Sequence, residues 1–224
     1  MAVTGKPTRR RGRPPSSEAN GREELVDAAA RVFSEHGYRG ATVEAILSEA
    51  NLSKGAFYHH FRTKDDLVLA VLAERVERPI KELIEQLQGA GPAENMSSAA
   101  TDRFAELIDA SRDAILLEHE YEALAARDPK LRRRYARHRR RLRDALAQAL
   151  AARARQLGAP ADLGTPAEEV ATAYLALMRG LARERMLDPQ AVPSHILGEM
   201  AGLIYIGLLA RATPGDWREH AVLP

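Results

Sequence analysis

Apolar residues recur at steps of three and four along nearly the whole chain, and no stretch alternates apolar with polar as a half-buried strand requires. The pattern predicts an all-α protein with about nine helices. A first helix over 22–36 carries Leu25, Ala28, Ala29, Val32 and Phe33 on one stripe, and Gly37 supplies a left-handed stop. Thr42 is placed to cap a short second helix that turns Val43, Ile46 and Leu47 inward, and Asn51 tolerates the turn that follows. Ser53 caps a third helix. Thr63 caps a fourth, which carries Leu67, Val71, Leu72, Val76, Ile80, Leu83 and Leu87 with a kink expected at Pro79. The periodicity then runs unbroken over 99–127 with Phe104, Leu107, Ile108, Ile115, Leu116 and Leu124 apolar. Pro129 opens a helix whose stripe is Leu131, Tyr135, His138, Leu142, Ala145 and Ala149. Thr165-Pro166-Ala167-Glu168 reads as a capping box for a helix to Leu187, and Pro189 and Pro193 precede a last helix from Ser194 to Arg211.

That last helix is apolar around much of its circumference, which is more surface than one neighbour can cover. The pattern predicts a homodimer in which it packs, together with residues 166–187, against symmetry copies. Leu177, Leu181, Ile196, Met200, Leu203 and Ile204 are the expected interface residues.

The chain has 224 residues, enough for one large or two modest domains. Four segments are expected: a basic arm over 1–21, a small helical domain over 22–68, a larger one over 69–211, and a tail over 212–224. Cysteine is absent, so disulfides, thiolate chemistry and Cys-based zinc sites are excluded. That absence suits a reducing compartment. No apolar run follows the basic start and none reaches the length of a membrane span, so a cytoplasmic chain with no membrane partner is expected.

Net charge is +2, yet the charge is concentrated. Residues 1–22 carry +5, and 130–143 carry nine Lys or Arg with no acid, leaving an excess of acid elsewhere. The second run shares a helix with an apolar stripe, so it reads first as a solvated face.

The third helix raises the functional question. At about 100° per residue, Phe57 and Phe61 fall on one side and Lys54, Gly55, Tyr58 and His59 on the other. Ser53 and the free amides of the first turn suit a phosphate, Gly55 admits close backbone approach, and Tyr58 and His59 offer donors on flat faces. With the second helix, residues 42–61 form a helix-turn-helix whose second member is free to enter a DNA major groove.

The stretches "AAARVFSEHGY", "TVEAI", "LSKGAFYHHF" and "KDDL", with their spacing over 22–69, resemble the DNA-binding domain of the TetR family of bacterial transcriptional regulators. The resemblance implies a three-helix reader, a larger helical domain for ligand binding and dimerisation, and repression from a near-palindromic operator relieved by a small molecule. It also implies phosphate or groove-wall contacts for Thr42, Tyr58, His59, His60 and Lys64, and base-edge contacts for Ser53, Lys54, Gly55 and Ala56. On the helical wheel His60 leans towards the core. Leu47 stands where the family tends to have Ala and is expected to shift the tilt of the third helix; Asn51 stands where it tends to have Gly. In the arm, Arg11-Gly12-Arg13-Pro14 is similar to an AT-hook core, in which Arg11 and Arg13 would follow a narrow A·T minor groove.

The inward stripes and the family plan together predict a ligand cavity walled by Phe104, Ile108, Tyr121, Tyr135, Tyr174 and Met178. Arg179 or Arg183 would meet an acidic group, and His138 would lie nearby. No cofactor and no metal is implied: Glu118, His119 and Glu122 lack zinc-helix spacing, since HExxH needs His where Ala123 stands. No phosphate loop or nucleophile motif is present. A sequence-nonspecific DNA-coating protein, or an all-α enzyme, would share the same composition.

Overall fold

The computed structural model describes residues 18–89, 96–156, 158 and 164–212. Arg11, Arg13 and the rest of the expected AT-hook, and the tail from 213, lie outside the described residues. Those described residues form α1 (Glu18–Gly40), α2 (Val43–Ala50), α3 (Lys54–His60), α4 (Lys64–Leu72), a π-helical turn (Ala73–Glu77), α5 (Arg78–Gly89), α6 (Met96–Ala110), α7 (Arg112–Arg127), α8 (Pro129–Gln156), α9 (Ala167–Leu187) and α10 (Ser194–Ala212). No strand occurs among them. The run from α4 through α5 is unbroken, so nine helical rods result. The chain divides into two compact units, Met1–Leu67 and Val68–Pro224.

In the smaller unit, Leu25, Ala28, Ala29 and Phe33 of α1 close on Ile46 and Leu47 of α2 and on Phe57 of α3, all buried. Gly37 sits at φ 64 and interrupts α1, and one further turn carries the chain to Ala41, whose N–H reaches Gly37 O at 3.2 Å. In the larger unit, Leu142, Leu146 and Ala147 of α8 meet Ala171 and Leu175 of α9, with Ile80 and Ile84 of α5 against them.

Three boundaries differ from the sequence pattern. Pro79 has no N–H for the carbonyl of Arg75 one turn back. The chain answers with the π turn, in which Arg78 N–H bonds Ala73 O, and with Ser111 Oγ, which donates to Arg75 O at 2.9 Å. The distortion therefore precedes Pro79. Ser111 is also where the expected single helix over 99–127 breaks into α6 and α7, at φ −101 and ψ 10. The apolar period passes through because both helices face one core. Lastly, the predicted capping box does not form: Pro166 occupies the cap position without a side-chain hydrogen bond, and Thr165 Oγ1 donates back to Gly164 O at 2.9 Å.

Candidate nucleic-acid interface and cavity

Local chemistry builds the α2–α3 corner. Thr42, extended at φ −113 and ψ 156, accepts Ala45 N–H on Oγ1 at 3.1 Å and starts α2. Asn51 ends it in the left-handed region at φ 52 and ψ 42, and Leu52 N–H closes onto Leu47 O at 3.0 Å. Ser53 then caps α3 by accepting Ala56 N–H at 3.2 Å. With seven residues α3 cannot persist by itself; Phe57 (0 % exposed) and Phe61 (5 %) hold it down. Leu47, bulkier than Ala, is accommodated within this core at 8 % exposure.

The opposite side of α3 is open. Tyr58 is 56 % exposed, with its ring edge-on to Phe57 at 5.2 Å. Lys54, Gly55 and His59 are exposed, and Ala56 is half-buried. Lys54 Nζ lies 3.3 Å from Glu44 Oε1 across the corner, and a backbone hydrogen bond together with Lys54 holds the Glu44 carboxyl below its usual range. A Cβ on Gly55 would meet nothing nearer than Ser53 Oγ at 3.7 Å, so internal packing does not demand glycine there. His60 turns away from this face: it is half-buried, and its Nε2 is 3.2 Å from where a Cβ on buried Gly21 would stand.

Lys64 has internal partners. Its Nζ donates to Tyr38 O at 2.7 Å and Ala41 O at 2.8 Å and lies 4.3 Å over the Tyr38 ring, while burial pushes its pKa down. Tyr38 Oη donates to Asp65 Oδ1 at 2.7 Å, and Thr63 and Asp66 exchange cap hydrogen bonds at 3.0 and 3.2 Å. These bonds tie α1 to the start of α4, and sequence reasoning did not identify Tyr38 and Asp65. "HGY" followed by "KDDL" was the available signal.

The larger unit holds a cavity of about 110 Å³ between α5, α6, α7, α8, α9 and α10. Phe104, Ile108, Tyr174, Met178 and Arg179 stand on its wall as predicted from the stripes. Tyr121, Tyr135 and His138 do not. Tyr121 is wholly buried behind the wall with its ring 5.8 Å from that of Tyr135. Tyr135 is drawn away by Glu118, whose Oε1 accepts its hydroxyl at 2.8 Å; burial and then that carboxylate push the phenol far above its ordinary pKa. His138 turns to the π turn, with Nε2 3.2 Å from Glu77 Oε1. Burial pushes its pKa down to about 4, so the imidazole is neutral, and pushes Glu77 up.

Glu118 and His119 are polar wall residues that the apolar stripes did not disclose. Arg179 Nη2 lies 3.4 Å from Glu118 Oε1, so the arginine expected to await an acidic ligand already has a carboxylate. Arg183 instead faces solvent near Glu184 at 3.6 Å. Burial raises the Tyr174 phenol to about 12. Among the described residues no group of three His, Asp or Glu is placed to hold a metal ion. On α9 and α10, Leu177, Leu181, Ile196, Met200 and Ile204 are half-buried and Leu203 is 52 % exposed.

Comparison with known proteins gives this geometry a lineage. Residues 25–71 match the family of bacterial regulatory proteins described as the tetR family. The transcriptional repressor AcnR of Corynebacterium diphtheriae is 33 % identical over 138 residues, a stretch covering 58 % of this chain and 63 % of that protein. The chain thus spans under two thirds of that relative's length. A crystal structure of a transcriptional regulator from Rhodococcus sp. Rha1 superposes with TM-score 0.60 at 29 % identity, covering 85 % of this chain and 96 % of that one. The multidrug binding protein EbrR, solved with proflavin, shares the fold at TM-score 0.54 and 22 % identity over 82 % of this chain and 99 % of its own. Residues 25–71 are thus similar to the helix-turn-helix domain of the tetR family of bacterial regulatory proteins.

Proposed function

We propose that the protein is a cytoplasmic, homodimeric transcriptional repressor that leaves a near-palindromic operator when a small molecule enters its larger unit. The observation that carries the reading is α3: a helix too short to stand alone, pinned by Phe57 and presenting Lys54, Gly55, Tyr58 and His59 outward. In this reading each protomer lays α3 in one major groove, with half-sites about 34–36 Å apart or at multiples of that spacing. Ser53, Lys54, Gly55 and Ala56 meet base edges, and Thr42, Tyr58 and His59 meet phosphates or the groove wall. His60 acts by positioning α3 against α1, and Lys64 does the same for α4. In the arm, Arg11 and Arg13 follow an A·T-rich minor groove.

The half-exposed apolar residues of α9 and α10 support a dimer through those helices, and the absence of a membrane-spanning helix among the described residues is compatible with a cytoplasmic repressor. The cavity supports a ligand with an apolar body and one polar end near Glu118, and EbrR, of the same fold, was solved with proflavin. Release then needs no chemistry, only a ligand that prefers a conformation unsuited to DNA. Selection from random duplexes tests the reading. A repressor enriches a two-fold site; a DNA-coating protein enriches none, and a catalyst retains no duplex at all.

A further inference from the structure

Several basic side chains in the structure sit beside carboxylates. Arg31 has Glu49, Lys54 has Glu44, Arg78 has Glu74, Arg139 has Glu122 and Arg185 has Asp109. On the early part of α8 Arg139 keeps such a partner, but four cations along one stripe do not. Lys130, Arg133, Arg137 and Arg140 are all exposed, and none has a carboxylate within ion-pair distance among the described residues.

The four positions step by three, four and three, so they share one stripe that runs roughly 15 Å along the helix. Tyr135, His138 and Leu142 are buried on the other side, which fixes the stripe's orientation within the larger unit. Like charges at these spacings repel, and the amino-terminal end of the helix dipole adds to the positive field. A merely solvated face would do better with mixed signs, as the paired cations above have. An unpaired, rigid row of cations is what a polyanion requires.

The composition of the face decides which polyanion. Among the described residues the exposed large apolar side chains are Tyr58, Leu116, Leu187 and Leu203, and none lies on α8. An interfacial helix would need such residues for the acyl boundary, so a lipid surface does not fit. We propose that this stripe is a second, sequence-independent contact to the phosphodiester backbone of duplex DNA, supplied either by the flanks of the operator or by a neighbouring duplex. The inference rests on the repressor reading.

The test uses the full chain and its selected operator, with the four positions changed together to glutamine (Lys130→Gln, Arg133→Gln, Arg137→Gln, Arg140→Gln). The readout is log affinity against log salt. Each lost phosphate contact removes about 0.9 from the slope, so the variant's slope should be shallower by about 3 to 4 per protomer. If the flanks supply the phosphates, trimming the duplex to its core reproduces that change in the unmodified chain. If a neighbouring duplex supplies them, trimming changes nothing and the variant instead loses capture of a second, labelled duplex. Arg133→Lys, Arg137→Lys and Arg140→Lys together should restore the unmodified behaviour, separating charge from packing of the long stems. A folded glutamine variant with an unchanged slope on both duplexes and undiminished capture would overturn the proposal. An unmodified chain that selects no duplex would instead bring down the repressor reading itself.

Discussion

Phe57 and Tyr58 are neighbours in α3 with opposite assignments, and replacing each by alanine separates folding from binding. The Phe57 ring is fully buried with its centroid 6.0 Å from that of Phe61. Phe57→Ala removes that burial and leaves a cavity, at a cost of about 3–5 kcal/mol. A single core of this size supplies roughly 3–5 kcal/mol in all. The loss therefore matches the stability of the whole smaller unit, and a helix of seven residues cannot remain formed alone. Tyr58→Ala removes a half-exposed ring that makes one edge contact, worth about 1 kcal/mol at most. Its cost should appear on DNA instead, where a hydrogen bond to a charged phosphate contributes about 1.5–3 kcal/mol, or tenfold and more in affinity. Urea unfolding followed by circular dichroism, beside anisotropy of a labelled operator, reads both quantities. Phe57→Ala should lose an early helical transition and all operator binding, while the larger unit unfolds as before; Tyr58→Ala should unfold normally and bind at least tenfold more weakly. The assignment fails if Phe57→Ala keeps its early transition, or if Tyr58→Ala binds as the unmodified chain does.

Three other changes probe separate parts of the account. Asn51 at φ 52 should tolerate Gly with little change, whereas Asn51→Ala should destabilise the smaller unit by about 1–2 kcal/mol; equal midpoints for the two in urea would contradict the left-handed assignment. His138 has a folded pKa of about 4, below its ordinary 6.5, so the unfolded chain takes the proton first. Stability held by neutral His138 is complete above pH 6.5 and falls away towards pH 4, by about 3 kcal/mol at 1.36 kcal/mol per pKa unit. Glu77, pushed up, takes its proton first in the folded state and works in the opposite direction. His138→Phe should therefore make the larger unit less acid-sensitive between pH 6.5 and 4 in unfolding titrations, and an unchanged pH slope would refute the sign. Finally, Ile108→Trp fills the cavity wall; operator binding should persist while release by inducer is lost, and release at the unmodified inducer concentration would exclude this cavity as the effector site.

What could be read in advance followed from local chemistry. Thr42, Asn51 and Ser53 act on backbone groups within four residues of themselves, so residue type and spacing suffice to place α2, the turn and α3. Lys64 could not be read that way, because its acceptors are carbonyls of Tyr38 and Ala41 far upstream, reached only once α1 and α4 have met. The break at Ser111 has a similar origin: its hydroxyl is drawn to the carbonyl that Pro79 leaves without its usual donor, and the apolar period carries no trace of that demand. The cavity was half legible. Helical stripes told which side chains turn inward, and Phe104, Ile108, Tyr174 and Met178 reached the wall. The stripes could not tell that Glu118 would hold Tyr135 behind that wall, because this depends on one hydrogen bond between α7 and α8.

The central claim is that two copies of α3 are presented together to one duplex. Mass measurement of the complex on the selected operator, beside affinity for a single half-site, tests it most directly. The account predicts two chains per duplex and at least a hundredfold weaker binding to the half-site. One chain per duplex, with equal affinity for half-site and full site, would contradict it.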